Sequence, residues 1–288
     1  MTSLNFFLHV FCIAGITLLP ALGYNLVFGK GKILHLGQEA QSIAAVFTLW
    51  SLIMQFGMPY PFALLVAFIV TAVVSVLIAE VSFRLEPDGL GVMSIALHLA
   101  LLNLVLNWQS VTRGALGMPG IPRGVLPSTL PSFAVVVFVV VVAWMLFLRW
   151  LNGGKFGRQI AALSESSWHA ASLGINRRRI HTIAFLIAGM GSLFAAMLYP
   201  PFMYLLHPSD YNFPAMVFFV MCVLAGRPGR VASVAVATVM LIVLKDGLRL
   251  VGIPAEYAGP VRLILFGIIL FTAVWLRRES IFPHQRRV

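Results

Sequence analysis

Apolar residues run along this chain in blocks of about twenty, separated by short polar or basic connections. At 1.5 Å per residue, such a block spans a hydrocarbon core about 30 Å thick. The blocks fall near 4–28, 38–56, 60–83, 90–107, 132–150, 180–204, 213–226, 231–250 and 260–276. Two are weaker. Segment 38–56 opens on polar Gln38, Glu39, Gln41 and Ser42, and 213–226 is short for a full crossing. The pattern predicts an all-α, polytopic transmembrane helix bundle of about eight to nine spans. The simplest topology has all nine segments cross, and a re-entrant or broken segment is the alternative at a weak one. Residues 1–288 form a single membrane domain, with no room for a separate soluble one.

Basic residues set the direction. One set of connections holds Lys30, Lys32, Arg84, Arg149, Lys155, Arg158, Arg177, Arg178, Arg179, Arg227, Arg230, Arg277, Arg278, Arg286 and Arg287. The other holds Arg113 and Arg123, with Lys245, Arg249 and Arg262 near span ends. Positive-inside places the first set in the cytoplasm, the C-terminus inside and the N-terminus outside. The N-terminus lacks a basic n-region and a small-residue cleavage site, so Leu4 onward is expected as a retained helix.

Composition agrees. Of 288 residues, 60% are hydrophobic and only 10% charged, against about a quarter charged in a soluble domain. The net charge of +11 sits in the connections, so it reports topology and not a nucleic-acid partner. Cys12 and Cys222, the two cysteines, both lie inside apolar runs. They read as buried thiols, with neither a disulfide framework nor a metal site.

Two connections are long. Trp108 to Pro131 contains Gly114, Gly117, Gly120, Gly124 and four prolines, which favours turns. Leu151 to Ile180 opens on Gly153-Gly154, continues as a polar helical stretch from Phe156 to Leu173, and places Gly174 where a capping glycine would sit. A short surface helix follows from this. Ile160, Leu163, Ser167, Ala170 and Ala171 share one of its faces. That face either docks into a partner's groove or lies against lipid headgroups.

The residues of this loop resemble the cytoplasmic coupling loop of ATP-binding-cassette importer permeases, in particular the branched-chain amino acid permeases of the LivM type. Gly157-Arg158 leads through Ala162-Leu163-Ser164-Glu165 to Ala170-Ala171-Ser172-Leu173-Gly174-Ile175-Asn176. Leu22-Gly23-Tyr24-Asn25-Leu26-Val27-Phe28-Gly29 is similar to the end of the family's first helix. Thr112 through Pro122 resembles its outer glycine-rich loop, and Ala184-Phe185 through Leu198-Tyr199 resembles the helix after the coupling loop. The chain departs from the family pattern at Leu34-His35-Leu36-Gly37-Gln38-Glu39-Ala40-Gln41 and at Leu224-Ala225-Gly226-Arg227-Pro228-Gly229-Arg230. The resemblance implies a coupling loop near 151–180, with Gly157, Arg158, Glu165, Ala170, Ala171 and Gly174 coupling to an ATPase. It also implies two ATP-binding cassette subunits, a second permease subunit, an outer solute-binding protein and a bacterial inner-membrane location. The cargo implied is a small zwitterion, a branched-chain or other hydrophobic amino acid, with amides and urea served by relatives. The chain itself is expected not to be an enzyme and to need no cofactor.

Several polar residues are candidates for the translocation pathway. A carboxylate in lipid costs a few kcal/mol at mid-bilayer, so Glu39 must face a cavity, a partner or the interface. Either Gln38, Glu39 and Gln41 line the inner end of a pathway, or Glu39 is an interfacial acid paired with Lys30 or Lys32. Glu80 is expected to pair with Arg84 at i,i+4 spacing, and Asp246 to join an interfacial cluster with Lys245 and Arg249. His98, with Asn103 and Asn107 one and two turns on, suits hydrogen bonds between helices or a pathway role. The small-residue patch Gly189-Met190-Gly191-Ser192 with Ala195 and Ala196 suits close helix contact, as sliding or as static packing. No histidine shows metal-ligand spacing, and no phosphate-binding glycine loop occurs. An ion-coupled secondary transporter or channel is the alternative function. It would want acids at mid-span.

Overall fold

A computed structural model describes residues 3–124 and 126–247, together with residues 261, 264–269, 271, 272 and 275. The chain is an all-α membrane bundle. Its helices are α1 (Ser3–Tyr24), α2 (Gln38–Met54), α3 (Tyr60–Arg84), α4 (Pro87–Asn107), short α5 (Gln109–Thr112), α6 (Leu130–Gly153), α7 (Lys155–Glu165), α8 (Ser167–Ser172), α9 (Arg177–Met203), α10 (Phe213–Ala225) and α11 (Val231–Gly247). A π-helical turn, Asn25–Lys30, extends α1. Among the described residues, five helices are long and apolar enough to cross a membrane. They are α1 with its extension, α3, α4, α6 and α9. The weak segments are helical too, with 17 residues in α2 and 13 in α10. At 1.5 Å per residue these are about 25 and 20 Å long. The described residues between 261 and 275 are helical, while Arg249, Arg262, Arg277, Arg278, Arg286 and Arg287 lie outside the described residues.

Local chemistry marks the helix starts. The side chains of Asn176 and Asn212 accept from the backbone N–H groups of Arg179 and Ala215 at 3.0 and 3.4 Å, capping α9 and α10. Helix α9 ends at Tyr204, which takes a left-handed conformation just after Pro200 and Pro201.

Helix α9 is the axis of the bundle, packed by α1, α2 and α3. The glycines make this possible. A Cβ at Gly23 of α1 would meet the Ala188 backbone at 2.9 Å, and one at Gly191 would meet the Leu19 carbonyl oxygen at 2.5 Å. A Cβ at Gly189 would meet Ser75 Oγ of α3 at 2.5 Å. The small-residue patch is thus a tight packing seam in this conformation. Small residues let membrane helices approach closely, where dispersion replaces the missing hydrophobic drive.

Helix α2 departs most from its expected place. Thirteen of its residues are buried, and polar Gln38, Glu39, Gln41 and Ser42 are among them. Gln38 Nε2 donates to the Ala188 carbonyl at 3.3 Å and to Ser192 Oγ at 2.8 Å. Ala188 is eleven residues past Arg177, the start of α9, or about 16 Å along its axis. So α2 begins at mid-depth, not at the inner surface. The connection before it also enters the bundle: Leu36 N–H donates to Ser94 Oγ at 2.8 Å, and Tyr24 Oη to the His35 carbonyl at 2.8 Å.

The basic connections gather at one end. There Lys30 Nζ donates to the Asn152 carbonyl at 2.7 Å, and Gly229 N–H to Asn25 Oδ1 at 2.8 Å. Arg178 binds Glu80 through two 2.8 Å hydrogen bonds. The expected Glu80–Arg84 pair is therefore replaced by a pair between α3 and α9. Similarly, Lys30 turns to the end of α6 and not to Glu39. At the opposite end the 108–131 connection is turn-rich as expected. It also forms a two-residue strand, β1 (Met118–Pro119), antiparallel to β2 (Leu205–Leu206).

Replacing Gly191 by valine is expected to force α1 and α9 apart and to lower stability by about 1–3 kcal/mol. Alanine at Gly91, where an added Cβ meets nothing within 4 Å, is expected to be neutral or stabilising. Thermal denaturation of the two variants in detergent, compared with the parent, checks the contrast.

Candidate functional site

A cavity of about 910 Å³ opens between α1, α2, α9, α10 and α11. Its walls are mixed. Aliphatic Ile13, Ile16 and Val46 line one part, and Glu39, Ser42, Ser192, Tyr199, Asp210 and Asp246 bring polar atoms to it. Met203, Ser209 and Asp210 place the cavity toward the end opposite the basic connections. A second hollow of about 690 Å³ between α6 and α9 is lined by Val140, Trp144, Met190 and Phe194 and is almost wholly apolar. Arg123 and Tyr60 also reach the second hollow, but groups of both charges line only the first.

The elements that position the polar wall are visible in the sequence spacing. Ser192, Ala195, Ala196 and Tyr199 lie on one face of α9, and Glu39, Ser42 and Val46 on one face of α2. Ser42 Oγ and Ser192 Oγ are 3.0 Å apart. Tyr199 Oη donates to Asp210 Oδ2 at 3.2 Å across the turn that ends α9. Glu39 is only 4% exposed, and its Oε2 has no hydrogen-bond partner. Asp246 is also buried; Arg249, the third member of the expected cluster, lies outside the described residues. Lys245 beside it lines the same cavity and stands 5.9 Å from the Phe218 ring.

Of the residues predicted for a pathway, Glu39 alone lines the cavity. Gln38 and Gln41 are spent on structure. Gln41 Nε2 donates to Ser75 Oγ at 2.8 Å and to the Phe185 carbonyl at 3.1 Å, tying α2 to α3 and α9. His98 lies away from the cavity lining, fully buried on α4, with neither ring nitrogen partnered. Asn103 and Asn107 do not bridge helices. Both are exposed and donate to carbonyls of their own helix, Leu99 and Asn103 respectively, at 2.8 Å. Sequence reasoning missed Ser192, Tyr199 and Asp210. Tyr199 and Asp210 carry a faint signal, an aromatic and an acid flanking the break at Pro200-Pro201.

The predicted loop helix is two helices. Ser166 is extended, with φ −156°, and breaks the stretch between α7 and α8. Its side chain then caps α8, accepting from His169 N–H at 3.3 Å. Gly174 has φ +74°, the left-handed conformation expected of a capping glycine. The apolar face turns inward. Gly157, Ile160, Leu163 and Ala170 are buried, the last three within the chain's own core, while Ser167 and Ala171 of the predicted face stay exposed. A Cβ on Gly157 would lie 2.1 Å from the Asn152 carbonyl oxygen, so only glycine lets α7 fold back on α6. Arg158, Glu165, Ala171 and Gly174 are exposed. Beside them stand Trp168 and Leu173, 82% and 76% exposed.

Gln41→Leu is expected to remove both bonds that tie α2 to α3 and α9 and to cost about 1–3 kcal/mol. His98→Leu removes a buried imidazole that makes no hydrogen bond, so its stability is expected to equal or exceed the parent's. Paired melting curves in one detergent separate the two.

Residues 6–273 match the family described as branched-chain amino acid transport system / permease component. The chain is 25% identical over 298 aligned residues to the high-affinity branched-chain amino acid transport system permease protein LivM of Escherichia coli K12, covering 94% of this chain and 68% of that one. The LivM protein of Salmonella typhimurium LT2 matches at the same identity and coverage. The ribose import permease protein RbsC of Bacillus subtilis is 26% identical over 149 residues, 50% of this chain and 44% of that one. No solved structure matches.

Proposed function

We infer the function from one premise: the chain belongs to the branched-chain amino acid transport system / permease component family. It is the membrane-spanning permease subunit of an ATP-driven importer, and its cargo is a branched-chain amino acid. The family match over residues 6–273 carries this reading. The polar cavity beside aliphatic walls is chemically suited to such a cargo.

The finer parts of the reading follow from the distribution of charge. The basic end, with Lys30, Lys155, Arg158 and Arg177 to Arg179, faces the cytoplasm of the inner membrane. This puts the N-terminus outside and the C-terminus inside, and the cavity opens toward the outer face, where a solute-binding protein delivers cargo. ATP hydrolysis belongs to separate cassette subunits. They dock on α7 and α8 through the exposed surface of Arg158, Glu165, Trp168, Ala171, Leu173 and Gly174. Gly157 and Ala170 act from beneath, seating that surface on the core. A second permease subunit completes the membrane part. Nucleotide shifts the bundle between outward- and inward-open states only if it binds them unequally. The rigid seating of Ile160 and Leu163 supports the transfer of a push on α8 to α6 and α9.

Reconstitution with the cassette subunits and binding protein in proteoliposomes is expected to give ATP-dependent leucine uptake. No uptake of leucine, isoleucine or valine would refute the substrate reading. Trp168→Ala combined with Leu173→Ala is expected to weaken cassette-subunit retention at least tenfold, since large exposed aromatics act as interface anchors. Retention unchanged in a pull-down would assign the pair to the lipid surface instead.

A further inference from the structure

The cavity between α1, α2, α9, α10 and α11 is lined by a buried acid, Glu39, whose Oε2 has no hydrogen-bond partner. Glu39 is nearly fully buried, its Oε2 meets no donor, and the residue lines the cavity. The gene could have placed glutamine there, as it did at Gln38 and Gln41 on the same turn. An ionised carboxylate at this depth is costly unless a cation answers it. Asp210 is near enough to act on Glu39 electrostatically, and Asp246 lines the same space. Among the described residues, the lining carries the carboxylates of Glu39, Asp210 and Asp246 together with Lys245 and His9. Ile13 and Ile16 of α1 and Val46 of α2 also line the cavity and offer aliphatic surface.

We propose that Glu39, with Asp210 near it, binds the α-ammonium group of the transported amino acid, while Ile13, Ile16 and Val46 receive its aliphatic side chain. The identity of the cation as an amino acid rests on the importer reading above. The existence of a cation-selective cavity does not. On this view the membrane subunit carries its own recognition site, distinct from that of the binding protein that delivers the cargo. Glu39 lies at the mid-depth start of α2, on the wall of this cavity.

Two measurements test it. In the first, cysteine is placed at Ala195 on the cavity wall in a Cys12→Ala, Cys222→Ala background. The assembled transporter is then labelled with a cationic aminoethyl or an anionic sulfonatoethyl methanethiosulfonate. The cationic reagent is expected to react at least tenfold faster, and Glu39→Gln to bring the ratio close to one. In the second, proteoliposome uptake of leucine is expected to fall at least tenfold in Glu39→Gln and to recover in part in Glu39→Asp. Equal labelling rates in the parent, or a ratio that Glu39→Gln leaves unchanged, overturns the site whether or not the variant transports. Charge-selective labelling with leucine uptake unchanged in Glu39→Gln overturns the ammonium assignment. Charge-selective labelling in a parent that takes up no branched-chain amino acid leaves the cation site standing and refutes the importer's proposed cargo.

Discussion

Everything in this bundle is organised by how closely α9 approaches α1 and α3. Inside a bilayer, apolar side chains gain little by leaving lipid for protein, so helices hold together by dispersion and by hydrogen bonds between them. Gly23 against Ala188, Gly191 against Leu19 and Gly189 against Ser75 bring the backbones together. Once they are that close, carbonyl oxygens of one helix come within reach of side chains on a third. Trp144 Nε1 of α6 donates to the Leu19 carbonyl at 3.0 Å, and Trp50 Nε1 of α2 to the Ala196 carbonyl at 2.8 Å. A carbonyl has two lone pairs, so these bonds add to the helical ladder without breaking it.

The same helix joins the two ends of the molecule. At the basic end Arg178 reaches Glu80, and at the other Tyr199 reaches Asp210. Between them, Ser192, Ala195 and Ala196 form a wall of the cavity. Movement of α9 against its neighbours would therefore be felt at the surface helices and at the cavity together. The buried seat of α7 and α8 on this core makes them an extension of the bundle and not a loop lying on it.

The spans could be read directly from the sequence, because an apolar run of about twenty residues has few other uses. So could the basic end and the capping role of Gly174, each set by local chemistry. What could not be read was pairing across the chain. Glu80 has an arginine four residues away, yet the fold delivers Arg178, 98 residues on, in better geometry. Periodicity puts Ile160, Leu163, Ser167, Ala170 and Ala171 on one face, but it cannot say which of them look in: Ile160, Leu163 and Ala170 do, from two helices, and Ser167 and Ala171 do not. The break at Ser166 was masked because serine both tolerates a helix and caps the next one. Glu39 was singled out by its cost in lipid, whereas the partners of Gln38 and Gln41 emerged only from tertiary contact.

The mid-depth start of α2 bears on how the chain enters the membrane. Gln38 finds its partners on α9, 150 and 154 residues later in the sequence, and Gln41 finds one on α9, 144 residues later, beside a nearer one on α3. During synthesis α2 leaves the ribosome long before α9 exists. Its polar beginning then has nothing in the bilayer to bond with, and a charged or amide-rich segment partitions poorly into lipid on its own. Segment 38–54 must therefore wait at the translocon or the headgroup layer and move to its final depth when α9 arrives. The order of insertion then differs from the order of the sequence, and the second helix is among the last to settle.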